Sequence, residues 1–298
     1  MAFANPCVVS LVRSTGHKAV VATLYAAVAF SANAHALQWQ DNSISYTTSN
    51  QFTEPGVAKK VTKHIIEYVH ANGYRLGNNL FRAKVMRSDE NDPVDGGTKG
   101  ATEVYVVYRH LLSLGALLDR PVAFGPIKDV GLTVGFDLNT KDNAFGPRKR
   151  LLVAGPTLKF DVPPRAMFNL SLLAAQERNE CNLPPCLAPG ARQKITFDTF
   201  PLIHAAWRFP IAVGSMNTRL EGFAAKGFRR GTDYVGNEVA HETLVRVAWL
   251  ADVGAMVADR PNSFFAGVGY ELWRNKYGSS GVPGIDTDAP TLQVKWHF

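Results

Sequence analysis

The sequence predicts an all-β chain: an antiparallel transmembrane β-barrel of twelve strands, preceded by a cleavable signal peptide. Three observations point there. A short apolar run near the N-terminus ends in a small-residue cleavage motif, most of the remaining chain alternates apolar and polar residues, and long and short connections take turns between the alternating segments.

The leader comes first. Arg13, His17 and Lys18 precede Ala19 to Phe30, a stretch without charge, and Ala34-His35-Ala36 has the A-x-A form of a leader-peptidase site. Twelve apolar residues span only about 18 Å as a helix, too short for a hydrocarbon core of about 30 Å. Cleavage is expected before Leu37, which divides the chain into a signal peptide, 1–36, and a single barrel domain, 37–298.

No later segment supplies the roughly 20 consecutive apolar residues of a spanning helix, so a membrane crossing must use strands. Period two is the mark of a strand with unlike faces. Leu292, Val294, Trp296 and Phe298 share one face of the last segment, and Gln293, Lys295 and His297 share the other. Val104, Val106 and Tyr108 oppose Glu103, Tyr105, Val107 and Arg109, and the segments 129–138 and 242–249 alternate in the same way. Strand centres are expected near residues 45, 66, 82, 106, 133, 156, 171, 204, 221, 246, 270 and 295, an even number as bacterial barrels require. Ala71-Asn72-Gly73 reads as a tight turn. Residues 87–101, 139–150, 178–193, 226–237 and 276–290 read as long loops, all leaving one end of the barrel. The terminal Phe298 resembles the signal read by the barrel-assembly machinery, so that machinery and outer-membrane lipid are expected partners in a bacterial outer membrane.

Composition narrows the function classes. Removal of residues 1–36 takes away Arg13 and Lys18 and no acid, lowering the formal charge from +7 to +5. The remaining basic residues are interleaved with acids, which argues against a nucleic-acid partner. Cys181 and Cys186 flank Asn-Leu-Pro-Pro in a loop-like segment; in an exported chain a disulfide is favoured over free thiols, and the neighbourhood offers no further zinc ligands. His241-Glu242 lacks the second His of a zincin helix, and no G-x-S-x-G occurs, so the chain reads as no enzyme, with no cofactor and no metal.

A passive pore needs polar contacts and stacking faces rather than catalytic groups. Strand parity places Glu67, Glu103, Asp129, Asp137, Glu221, Glu242 and Glu271 on the lumen side. Arg82, Lys84, Arg109, Lys159, Arg208, Arg219, Arg246 and Lys295 join them, a near balance of sign that argues against selection for one ion charge. Tyr105, Phe223 and Trp273 are the lumen aromatics. The substrate-binding candidates are Glu103, Tyr105, Arg109, Glu271 and Trp273, followed by Glu67, Arg208, Glu221, Phe223 and Arg246. Trp207, Trp249 and Trp296 are assigned to lipid-facing girdles.

Several fragments, in order, resemble the Tsx-like family of nucleoside-specific outer-membrane channels. They are Trp39 with Asn42-Ser43-Ile44-Ser45-Tyr46, Phe52-Thr53-Glu54-Pro55-Gly56, His70-Ala71-Asn72-Gly73, Gly77-Asn78-Asn79-Leu80-Phe81 with Ser88-Asp89, Glu103-Val104-Tyr105 with Arg109 and Leu112-Ser113-Leu114, Ala225-Lys226-Gly227, and Tyr270 to Gly278. The resemblance implies a monomeric twelve-stranded barrel with a narrow pore that passes nucleosides. The expected function is therefore passive, selective uptake of nucleosides or similar small polar solutes. The alternatives are a plugged barrel acting as a surface receptor or adhesion protein, and a channel for a non-nucleoside solute.

Overall fold

The computed structural model describes residues 37–298; the leader expected over 1–36 lies outside the described residues. The strands are β1 (Trp39–Phe52), β2 (Val61–Tyr74), β3 (Gly77–Ser88), β4 (Thr102–Ser113), β5 (Ile127–Lys141), β6 (Arg148–Phe160), β7 (Met167–Glu180), β8 (Lys194–Thr196), β9 (Phe200–Val213), β10 (Met216–Gly227), β11 (Glu242–Asp252), β12 (Phe264–Arg274) and β13 (Thr287–His297). All except β8 form one closed antiparallel meander of twelve, and each contains one of the expected centres. Closure is made by β1 against β13, from Ser43 opposite His297 to Thr48 opposite Leu292. Among the described residues only β8 stands outside, pairing with Arg178–Glu180 at the end of β7. Closure leaves no long unpaired edge, which is the condition for strands to cross a bilayer.

Side-chain alternation gives the wall its two faces. Ile44, Ile66, Val85, Val104, Leu132, Leu152, Leu172, Ile203, Val268 and Leu292 are all exposed on the outer face. So many exposed aliphatic groups around one closed sheet would be a large aggregation surface in water and are matched by a lipid annulus. Trp249 and Trp296 are exposed on the same face, and Trp207 has the same outward parity. The architecture is that of an outer-membrane barrel.

One stretch of the outer face is polar. At the end of the barrel that carries the termini, Asn42 accepts from Tyr68 at 3.0 Å and bonds His70 at 2.8 Å. The chain of bonds continues through Asn72 and Asn79 to Tyr108 and His110. These side chains satisfy one another at the level where aromatic and polar groups meet headgroups. Several residues that carry the family resemblance, His70, Asn72 and Asn79 among them, therefore face away from the lumen.

The connections depart from expectation in three places, the first being that Ala71-Asn72-Gly73, expected as a tight turn, lies within β2. Residues 142–147 alone link β5 to β6, because both strands extend further than the predicted 139–150 loop allows. At the terminus end, Arg75-Leu76 and Gly214-Ser215 are tight turns, with Gly214 at φ +60° supplying the left-handed conformation. The links 114–126 and 253–263 at that same end are long, each opening with one helical turn capped by Ser113 or Asp252.

At the opposite, loop end, 181–199 and 228–241 pack together through Ile195, Phe197, Val239 and Tyr234, a small apolar core drawn from none of the twelve wall strands. Cys181 and Cys186 are joined by a disulfide within the first of these loops, with their Cα atoms 5.9 Å apart.

Candidate functional site: the barrel lumen

The lumen is lined by charge, and the charge is paired. Arg82 forks onto both oxygens of Glu67 at 2.8 and 2.9 Å, and Lys84 lies 3.4 Å from the same carboxylate. Arg246 donates to Glu271 at 2.5 Å. Lys159 meets Asp129 at 3.2 Å. Glu221 is held by Lys295 and, at 3.1 Å, by Arg219. Tyr105 donates to Asp137 at 2.8 Å. Arg109 reaches the other oxygen of Asp137 at 2.6 Å, while its Nη1 donates to the carbonyls of Tyr108 and Phe136, so that contact is ionic. These pairs follow from register: Glu67 sits opposite Lys84, Arg246 opposite Glu271, and Asp129 opposite Lys159.

Aromatic faces lie among the cations. The Phe223 ring has Arg82 at 5.7 Å and Arg246 at 5.8 Å and stacks with His204. Trp273 has Arg246 at 5.8 Å and the Lys276 ammonium at 4.6 Å, and its indole donates to Glu242 at 2.8 Å. Such contacts are worth about 0.5–2 kcal/mol each, according to desolvation.

Of the ten candidates, Glu271, Trp273, Arg246, Phe223 and Glu67 form one cluster across the barrel. Tyr105 and Arg109 are joined through Asp137, and Glu221 belongs to a separate pair of cations towards the terminus end. Arg208 lies opposite Glu221 in the ladder, but its residue is exposed. Glu103 belongs to another cluster, at the loop-end mouth.

Strand parity reaches Glu103 but not the centre of that mouth cluster, Glu54. Glu54 lies in the β1–β2 turn, yet it is only 4% exposed. A register shift between Ser49 and Phe52 reverses the parity of β1, so that Phe52 is buried and the chain enters the turn over the lumen. Three ammonium groups converge on the Glu54 carboxylate. Lys63 of β2 lies 2.5 Å from Oε1, Lys276 of the 275–286 loop 2.8 Å from Oε1, and Lys141 of β5 3.0 Å from Oε2. Burial alone would raise the Glu54 pKa, but Lys276, Lys63 and Lys141 outweigh it and hold the carboxyl well below the ordinary carboxylate range.

The outer ring of this cluster is also paired. Asp92, from the 89–101 loop, contacts Lys141 at 2.7 Å and accepts from Ser88 at 2.6 Å. Glu103 lies 3.8 Å from Lys63 and accepts from Asn139 at 2.6 Å. On the other side of the mouth, Arg230 lies 3.8 Å from Glu177 and 3.4 Å from Glu242, and donates to the Tyr277 carbonyl. Loop residues follow no period, so parity could not place Glu54, Asp92, Arg230 or Lys276 at the lumen. Lys63, Lys141, Lys149 and Glu177 do obey lumen parity and could have been found by extending the strands to their full length.

The consequence is a constricted lumen. Glu67, Glu103, Glu271, Lys63, Lys84, Lys141 and Trp273 are all buried, whereas the walls of a wide water-filled pore stay wet. Among the described residues no group of His, Cys, Asp and Glu forms a metal-binding set.

No protein-family model matches the chain, and no curated protein matches its sequence. Among solved structures it is similar to the translocator domain of the autotransporter NalP from Neisseria meningitidis, at 11% identity and TM-score 0.47, covering 95% of this chain and 96% of that one. It is also similar to the KdgM porin, at 8% identity and TM-score 0.41, covering 86% and 99%. A third similarity is to the β-domain of the Bordetella autotransporter BrkA, at 10% identity and TM-score 0.40, covering 87% and 98%. The assignment as an outer-membrane barrel rests on the closed sheet, the apolar outer band and the paired polar lumen.

Proposed function

We propose that this chain is a constricted outer-membrane channel for small polar solutes, with little selection for the sign of charge. The observation that carries this reading is the lumen pairing: acids and bases alternate within bonding distance from β2 around to β13, so a passing solute meets both signs together. Such a lining suits hydroxyl-rich solutes, which can exchange hydrogen bonds with either partner of an ion pair. The Phe223 and Trp273 faces add stacking for a flat ring.

Nucleosides combine both features and are the first solutes to test. Support for them comes from the sequence resemblance and from no comparison with a known protein. A non-nucleoside solute with the same chemistry fits the lining equally well.

A second reading is a plugged barrel that displays its loops as a receptor or adhesion surface. The filling of the mouth by Glu54, Asp92, Arg230 and Lys276, all drawn from loops, favours it.

Single-channel current in a planar bilayer separates these readings. Adenosine that blocks the current saturably, where glucose does not, supports a nucleoside channel. Conductance indifferent to adenosine but blocked by another neutral solute moves the substrate class. Absence of conductance from correctly folded protein overturns the channel reading and leaves the receptor.

A further inference from the structure

The Glu54 carboxylate is a loop group lodged in a pocket made by others. Lys63 and Lys141 belong to the barrel wall, and Lys276 reaches in from the 275–286 loop. Both carboxylate oxygens are engaged, and the three ammonium groups approach from three separate elements, a geometry that suits any carboxylate presented at that point.

The charge balance is informative. Lys63, Lys141 and Lys276 face Glu54, Glu103 and Asp92, so the intact cluster is neutral. Without Glu54, one positive charge is left in excess, the complement of a monoanion. Lys141 would keep Asp92 at 2.7 Å, and Lys63 would keep only the looser Glu103 at 3.8 Å. Lys276 would be left with least, because its other hydrogen bond goes to the Thr53 carbonyl, one residue before Glu54 on the same turn.

We propose that Lys63, Lys141 and Lys276 form a carboxylate-binding site at the loop-end mouth, which Glu54 occupies as a tethered ligand and which the carboxylate of a small soluble acid enters when Glu54 is withdrawn. The Lys276 ammonium lies 4.6 Å from the Trp273 ring, so a sugar acid seated on the lysines would bring its ring towards an aromatic face and change that indole's surroundings. The site binds its ligand whether or not the barrel conducts, and it is therefore tested separately from the solute reading.

The test is titration of the purified, membrane-inserted protein with glucuronate and with glucose, read by tryptophan fluorescence, with Trp273→Phe identifying the reporting indole. A tethered carboxylate competes at an effective concentration of order millimolar. Glu54→Ala should therefore lower the half-saturating glucuronate concentration at least about tenfold relative to the unaltered protein. Glucose should gain nothing from Glu54→Ala, and Lys276→Met added to Glu54→Ala should remove the gain for glucuronate. A folded Glu54→Ala barrel that binds glucuronate no better than the unaltered protein, or whose affinity for glucose rises as much, overturns the proposal. Should Glu54→Ala fail to form a heat-modifiable barrel, Glu54→Asp withdraws the carboxylate by one methylene. It should shift the titration in the same direction, and an unshifted titration overturns the site.

Discussion

Lys276 donates to Glu54 at 2.8 Å, closing the barrel mouth between the turn that follows the first strand and the loop that precedes the last. The two residues are 222 positions apart, and neither lies in a strand. Their contact joins the two ends of the sheet at the loop side, close to the β1–β13 seam. It should therefore be strongly coupled: contacting buried charges show interaction energies of about 0.5–3 kcal/mol in double-mutant cycles. Urea unfolding of Glu54→Gln, Lys276→Met and the double variant should give a coupling in that range, and additive effects would mean that Lys63 and Lys141 alone satisfy the carboxylate.

The same carboxylate sets a pH dependence. Its folded pKa is depressed below the ordinary value of 4.5. Its contribution to stability is therefore complete above the unfolded pKa and is lost as pH falls through the folded one. The stability difference between the unaltered protein and Glu54→Gln should hold constant near neutrality and shrink below about pH 4.5. Denaturant midpoints measured from pH 3 to 7, about four values, suffice to see the slope.

Gly284 keeps the Glu54 turn in place. It has φ +77°, and a Cβ built there would collide with the carbonyl oxygens of Glu54 and Val57. Gly281 has a similar φ of +70° with open space around it. Gly281→Ala should therefore cost only backbone strain, about 1 kcal/mol or a little more, and Gly284→Ala clearly more. Equal midpoints in thermal unfolding would mean that the turn can move aside freely.

The facing of the wall is testable on β7. Leu172 is 56% exposed on the outer face, while its neighbours Leu173 and Ser171 are buried inside. Leu172→Arg should destabilise the barrel in vesicles by about 2–4 kcal/mol if it sits near the bilayer midplane. Folding-yield curves in urea, in lipid and then in detergent, should show the penalty shrinking in detergent.

The disulfide lies apart from these elements. Cys181→Ser with Cys186→Ser should leave the heat-modifiable barrel intact, because both cysteines lie in the connection beyond β7 and in none of the twelve wall strands. Limited proteolysis should cut the 181–199 loop faster than in the unaltered protein, and a lost barrel would assign that loop a role in assembly.

The sequence by itself determined the twelve wall strands and the two faces of the wall, though not β8, because period-two alternation is a local property and survives without knowledge of any partner. Leu292, Val294 and Trp296 outward, with Glu103, Tyr105 and Arg109 inward, follow from that alone. Which lumen charges neutralise one another was decided only by the register between strands, as in Arg246 opposite Glu271. The mouth was decided only by the tertiary structure. A bulge in β1 reverses parity, and Glu54, Asp92, Arg230 and Lys276 come from loops that obey no period and meet only because the closed sheet carries its loop ends to one rim. Their burial follows from Coulomb attraction between groups far apart in the chain, a quantity with no local trace in the sequence.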